Sequence, residues 1–161
     1  PIFNLDLDYT AWGQRFDDLG LERTAVTVRN EEDNPISPDG ATRQKGVDLT
    51  KRTLDCCAAA GVTTLVGPYH SALGLFSGAG PTADEWSRGV DSMKQVAQHA
   101  GDVNVMLGVE CLNRFETYLL NTHADSARFV KDVDHPNCRM MYDTFFVFRF
   151  VPQNAFHGFS C

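Results

Sequence analysis

Two carboxylates that each follow an apolar run are the residues of this sequence best suited to chemistry. Glu110 follows residues 105–109, and Asp143 follows residues 138–142. Two buried strands that each end in an acid could direct both carboxylates to one point, because parallel strands present their carboxyl ends at one edge of a sheet. Paired carboxylate oxygens suit Mg²⁺ or Mn²⁺. The alternative is that each acid is an ordinary loop or capping residue.

Other polar side chains near these strand ends could bind a substrate. Asn113, Arg114 and Glu116 form a polar cluster beyond Glu110. Glu116 could accept a hydrogen bond from a substrate hydroxyl, or the cluster could be a solvated loop with a local Arg–Glu pair. His70 is a candidate substrate contact, or an ordinary loop histidine. A bound metal makes the C–H beside a carbonyl more acidic, so a nearby glutamate could move that proton.

Alternating strands and helices must position these side chains. Apolar, β-branched runs predict strands at residues 24–28, 62–67, 104–110 and 138–143. Helices are predicted at residues 9–19 and 40–60, from the Thr82–Glu85 capping box to Gly101, and from Asn121 or Thr122 to residue 133. This order predicts an α/β fold with a parallel sheet. His99, His123 and His135 fall on or near helices and are interpreted as surface residues.

Composition narrows the classes of function. The 161 residues are enough for one domain with a core, and the net charge of −7 argues against a nucleic-acid partner. No apolar run approaches the roughly 20 residues of a membrane span. No charged start precedes an apolar region, so a secretory signal is not expected. The five cysteines, an odd number without metal-like spacing, predict reduced thiols in a cytoplasmic protein.

Two motifs resemble those of a known enzyme family. Residues 110–116 read Glu-Cys-Leu-Asn-Arg-Phe-Glu, and residues 142–145 read Tyr-Asp-Thr-Phe. Together they resemble the sugar isomerase/epimerase branch of the xylose-isomerase-like TIM-barrel superfamily, which includes the D-tagatose and D-psicose 3-epimerases. Similar stretches occur at residues 36–39, 61–68 and 121–137. The resemblance implies a partial (β/α)₈ barrel at residues 1–145, with about strands two to five and their helices. Residues 146–161 would be an atypical, aromatic-rich tail.

The resemblance also implies roles for the candidate residues. It implies a divalent metal, Mn²⁺, Co²⁺ or Mg²⁺, with Glu110 and Asp143 as two of four ligands. It further implies that Glu110 is one of two glutamates that exchange a substrate proton through an enediolate. Glu116 would contact the sugar hydroxyls near the reacting carbons. The implied substrate is a small ketose sugar or sugar phosphate.

The sequence departs from the family pattern after residue 145. Phe146 stands where the family has a histidine. The histidine ligand, the second catalytic glutamate and strands six to eight are absent, whereas a complete barrel takes about 250 residues. We therefore expect a chain shortened by truncation or a frame shift, with impaired activity. A natural short protein, whose tail covers the open sheet edge or mediates self-association, is the alternative.

Two further functions stay open at this point. One is a non-catalytic half barrel that forms a homo-oligomer or pairs with another chain, because an unpaired strand edge promotes association. The other, within the same superfamily, is a zinc-dependent endonuclease acting on abasic DNA. The acidic charge balance and the lack of histidine-rich strand ends argue against the endonuclease.

Overall fold

Four parallel strands form one open sheet in the computed structural model, which describes residues 4–144. The strands pair in chain order and are β1 (Ala25–Val26), β2 (Thr64–Gly67), β3 (Met106–Glu110) and β4 (Cys138–Met141). The helices are α1 (Tyr9–Asp18), α2 (Gly40–Ala59), α3 (Ala83–Asp102) and α4 (His123–Val133), with a 3₁₀ helix at Glu31–Asp33. The predicted alternation and parallel sheet are confirmed. The tail expected at residues 146–161 lies outside the described residues.

Alternating burial shows that the helices cover one face of the sheet. Leu65, Leu107 and Cys138 are almost fully buried and lie side by side in the strand register. Their neighbours on the opposite face, such as Thr64 and Met106, are only half-buried. A parallel sheet is normally covered on both faces. The second face of this sheet is open within residues 4–144.

Side-chain caps fix the starts of the helices beside the site. The capping box predicted for α3 is confirmed: the Thr82 hydroxyl accepts from the Glu85 N–H at 3.2 Å, and the Glu85 carboxylate accepts from the Thr82 N–H at 2.8 Å. Of the two caps predicted for α4, Thr122 has this role, since its hydroxyl accepts from the Asp125 N–H at 3.0 Å. The loops before both helices are therefore held at the carboxyl edge of the sheet.

The helix ends match the prediction at one glycine and not at the other. Gly61 follows α2 with φ of +69°, a left-handed conformation that suits glycine. The prediction that Gly101 ends α3 was wrong. The helix continues to Asp102, and Asn104 takes the left-handed conformation instead. A Cβ on Gly101 would lie 3.3 Å from the ring of His135, so this glycine makes room for the connection from α4 to β4.

The core lies between the sheet and helices α2 to α4. The apolar stripe predicted on α3 is buried and comprises Val90, Met93, Val96, Ala97 and Ala100. Trp12 of α1 and Leu19, which follows it, stay exposed, and Gly13 packs against Ala60 just after α2. No helix within residues 4–144 has the length and apolar character that crossing a membrane requires.

Candidate functional site

The structure brings Glu110 and Asp143 together at the carboxyl edge of the sheet. Glu110 is the last residue of β3, and it pairs in register with Met141 of β4. Asp143 lies two residues beyond Met141, close enough to Glu110 for its charge and hydrogen bonding to raise the pKa of the Glu110 carboxyl. Burial, followed by the charge and hydrogen bond of Asp143, raises the pKa of Glu110 to about 7.

This pair has the chemistry of a proton carrier and of a partial cation site. A carboxyl whose pKa lies near 7 can both accept and donate a proton at neutral pH. The two acids repel each other when ionised, and a bound cation would relieve that repulsion. Within residues 4–144 no group of three or more His, Cys, Asp or Glu side chains is arranged to hold a metal. In ligand type, two carboxylates fit Mn²⁺, Co²⁺ or Mg²⁺, and the pair would supply two of the ligands that such a cation needs.

Glu116 lies close enough to Glu110 for its charge to contribute to the raised pKa of Glu110. The Glu116 carboxylate accepts a hydrogen bond from the Asn113 side-chain amide. Asn113 also accepts from the Phe115 N–H at 2.8 Å, which closes a tight turn. The pair predicted as an alternative, Arg114 with Glu116, does not form among the described residues. The predicted contact of Glu116 with a sugar hydroxyl stays a prediction.

His70 is fully buried behind the carboxyl pair. Its Nε2 lies 3.0 Å from the backbone oxygen of Glu110, and its Nδ1 lies 3.0 Å from the hydroxyl of Ser71. Burial lowers the pKa of His70 to about 4, so the ring is neutral at neutral pH. The contact between His70 and a substrate stays a prediction. In the structure the His70 ring contacts the site by its hydrogen bond to the backbone oxygen of Glu110.

Several residues at this edge had no predicted role. Ser71 and Thr117 are buried, and their hydroxyl oxygens lie 3.0 Å apart. His123, interpreted as a surface residue, is half-buried, and its ring stacks on Tyr142 with 4.2 Å between centroids. Each pair joins segments that are distant in the chain, so no local sequence pattern could have shown it. Tyr142 lay within the motif at residues 142–145, and His123 within the family-like stretch at residues 121–137.

The cysteines and the remaining histidines of residues 4–144 do not form a metal-binding cluster. Cys56, Cys57, Cys111 and Cys138 are free thiols, and Cys161 lies outside the described residues. The Nε2 of His99 lies 2.7 Å from the Asp55 carboxylate on the outer surface of the helices.

Comparison with known proteins agrees with the fold and the motifs. The family model described as "Xylose isomerase-like TIM barrel" matches residues 2–154. The D-psicose 3-epimerase of Ruminiclostridium cellulolyticum is 48% identical over 132 residues, which are 78% of this chain and 43% of that protein. The D-psicose 3-epimerase of Agrobacterium fabrum is 36% identical over 129 residues, or 80% of this chain and 45% of that protein.

A solved structure of a related enzyme shares the fold of this chain. The crystal structure of D-psicose 3-epimerase in the presence of D-fructose superposes with a TM-score of 0.82 and 33% identity, covering 88% of this chain and 50% of that one. The chain thus spans about half the length of the relatives it matches, and its fold is a partial (β/α)₈ barrel. By family model, sequence and fold, this chain belongs to the xylose isomerase-like TIM barrel family.

Proposed function

We propose that this chain carries one side of the active site of a divalent-metal-dependent ketose isomerase or epimerase. The observation that carries the proposal is the pairing of Glu110 with Asp143, with the charge of Glu116 nearby. The relatives named above are 3-epimerases of D-psicose, which favours a ketose as substrate. They also favour sugar chemistry over the alternative of an abasic-DNA endonuclease.

In this proposal Glu110 moves a proton at the carbon next to the substrate carbonyl. Its carboxylate removes the proton, and the electron pair of the broken C–H bond passes into an enediolate of the sugar. Returning the proton to the same face restores the substrate, whereas delivery to the opposite face inverts the carbon. A divalent cation held by Glu110 and Asp143 would make that C–H more acidic. Glu116 accepts a hydrogen bond from a sugar hydroxyl.

We further propose that the 161-residue chain turns over slowly at best. Inversion needs a second acid on the opposite face, and the family resemblance supplies no second catalytic glutamate in this sequence. Two carboxylates also hold Mn²⁺ more weakly than four ligands do, because divalent cations prefer about six oxygen ligands.

Mn²⁺ calorimetry combined with an epimerisation assay tests this function. We expect wild-type chain to bind Mn²⁺ weakly, and Glu110→Gln and Asp143→Asn to remove the binding. Glu32→Gln, at an exposed site on the 3₁₀ helix, is the matched control and should bind as wild type does. With D-psicose as substrate, little of the C3 epimer should form. Binding that survives Glu110→Gln would contradict the site, and robust turnover would contradict the impairment.

A non-catalytic, self-associating half barrel is the second candidate, and exposed apolar surface favours it. Within residues 4–144, β1 and β4 each pair with a strand on one side only. Large apolar side chains on and beside α1 are also exposed, namely Leu7, Trp12, Leu19 and Leu21. Contiguous exposed apolar patches mark association surfaces. The occupant we propose for this surface is a second copy of the chain.

Native mass spectrometry distinguishes this candidate. A homo-oligomer should dissociate when Trp12→Ser and Leu19→Ser are combined, and it should persist with Leu73→Ser, which changes an exposed leucine elsewhere. A wild-type chain that stays monomeric over the whole concentration range would refute self-association.

A further inference from the structure

A chain of hydrogen bonds lies behind the carboxyl pair and is not part of it. It begins at Thr117, passes through Ser71 and His70, and ends on the backbone oxygen of Glu110, with each step 3.0 Å long. Thr117 is 1% exposed, Ser71 2% and His70 0%. Water therefore has no access to replace these partners, and each broken bond would leave a buried polar group unpaired.

The direction of every bond follows from its last acceptor. The carbonyl oxygen of Glu110 can only accept, so Nε2 of His70 carries the hydrogen. Nδ1 of the neutral ring must then accept, and the Ser71 hydroxyl donates to it. The Ser71 oxygen in turn accepts from the hydroxyl of Thr117. One tautomer of His70 and one orientation of each hydroxyl satisfy the whole chain.

The chain of bonds connects both ends of the segment that holds the two glutamates. Glu110 lies at one end, and Thr117 at the other follows directly after Glu116. Two backbone bonds reinforce the far end: the Thr117 N–H donates to the Asn113 oxygen at 3.2 Å, and the Gly74 N–H donates to the Glu116 oxygen at 2.8 Å.

We propose that His70, Ser71 and Thr117 are positioning residues that set the placement of Glu110 relative to Glu116. In this proposal His70 acts through the backbone of Glu110. The catalytic meaning of this inference rests on the proposed function, whereas the bond directions do not. Partners behind metal-binding residues typically change metal affinity by 10- to 100-fold when removed.

Matched threonine variants test the functional part. Thr117→Val removes the first donor and keeps the side-chain shape, and Thr117→Ser keeps the donor. Thr53→Val is the control, because Thr53 is equally buried and donates to the Leu49 oxygen at 2.9 Å, within α2. We expect Thr117→Val to weaken Mn²⁺ binding by about tenfold, and Thr117→Ser and Thr53→Val to bind as wild type does. Equal affinities for the two valine variants would overturn the proposal.

Two measurements without metal keep the inference testable if wild-type chain binds no Mn²⁺, an outcome that counts against the proposed function alone. Nitrogen NMR should show His70 protonated at Nε2, with a hydrogen-bonded Nδ1 whose resonance shifts in Ser71→Ala. Exchange of the backbone amide at position 117 should be faster in Thr117→Val than in Thr53→Val. A ring protonated at Nδ1, an Nδ1 resonance unchanged by Ser71→Ala, or equal amide protection would each overturn the inference.

Discussion

Glu110 and His70 respond to burial in opposite directions at the same strand end. Burial penalises the charged form of each group, which raises the pKa of the acid to about 7 and lowers that of the histidine to about 4. Both groups are therefore largely neutral between pH 4 and pH 7. Their contributions to the free energy of unfolding consequently change with pH in opposite senses.

Glu110→Gln should separate these two contributions. Because the pKa of Glu110 is raised, its contribution to the free energy of unfolding is complete below about pH 4.5 and is lost as the pH rises through about 7. Metal-free Glu110→Gln should therefore be more stable than wild type at pH 8 and similar near pH 4. Urea denaturation at both pH values measures this difference. A gap of equal size at pH 4 and pH 8 would contradict the raised pKa of Glu110.

The same variant should show the contribution of His70. Because the pKa of His70 is lowered, the contribution of its neutral ring to stability is complete above pH 6.5 and is lost as the pH falls through about 4. In Glu110→Gln the urea midpoint should therefore fall steadily from pH 7 to pH 4. His70→Gln, which keeps a donor near Nε2, should flatten that slope in the double variant. If His70→Gln leaves the slope unchanged, the pH dependence comes from groups other than His70.

Mn²⁺ affinity should also depend on pH through Glu110. The carboxyl must lose its proton to bind a cation, so affinity should fall by up to about tenfold per pH unit below pH 7. Calorimetry at pH 6 in buffers of different ionisation enthalpy should show proton release on binding. Glu32→Gln should leave this dependence unchanged. Binding without proton release at pH 6 would contradict the assignment of Glu110 as a ligand.

The residues that sequence alone could find were those with a local signal. The proximity of Glu110 and Asp143 was predictable because each follows an apolar run that reads as a strand, and parallel strands end at one edge of the sheet. Ser71 and Thr117 carry no such signal. Their roles depend on contacts between segments that only the folded chain brings together.

At the scale of the elements, the caps of α3 and α4 hold the loops that border the site. Thr82→Ala should cost about 1 kcal/mol, because it leaves the Glu85 N–H in the first turn of α3 without its side-chain acceptor. Thr82→Ser should restore the stability. Thr10→Ala, at an exposed position on α1, is the control and should be close to neutral. Urea midpoints measure all three, and a Thr82→Ala loss no greater than that of Thr10→Ala would contradict the capping role.

The stack between His123 of α4 and Tyr142 fixes the segment that carries Asp143. Stacked rings are worth about 0.5–1.5 kcal/mol beyond the area they bury. A double-mutant cycle with His123→Ala and Tyr142→Ala should therefore give a coupling free energy of about 0.5–1 kcal/mol. A coupling near zero would show that the stack does not hold this segment.

Sequence periodicity predicted the elements well and their boundaries less well. The four strands and four α-helices were predictable because apolar spacing follows their periods, whereas the 3₁₀ helix at Glu31–Asp33 was not predicted. Gly101 misled the prediction, since a glycine inside α3 serves close packing against His135 and not termination. The apolar side chains of Trp12 in α1 and of Leu19 just after it fall on one predicted stripe, but no part of the described chain buries them.

At the scale of the whole molecule, the chain forms an open half of a closed architecture. Strand order and parallel pairing were predictable from the alternation of strands and helices. The open inner face could be recognised only through the family resemblance, because Val26 and Val66 belong to strands that look like any buried strand in sequence. Val26 is 45% exposed on that face. Under the proposed function, catalysis would depend on the one acid pair at the strand ends within residues 4–144.

Hydrogen exchange at the reacting carbon tests the central claim most directly. Chain, Mn²⁺ and D-psicose are incubated in D₂O, and proton NMR follows the C3–H signal of the sugar. With Glu110 as its one proton carrier, wild type should replace that hydrogen with deuterium while D-psicose keeps its configuration. Glu110→Gln should abolish the exchange, and Glu32→Gln should not affect it. Exchange that persists at the wild-type rate in Glu110→Gln would contradict the assignment of Glu110 as the proton carrier.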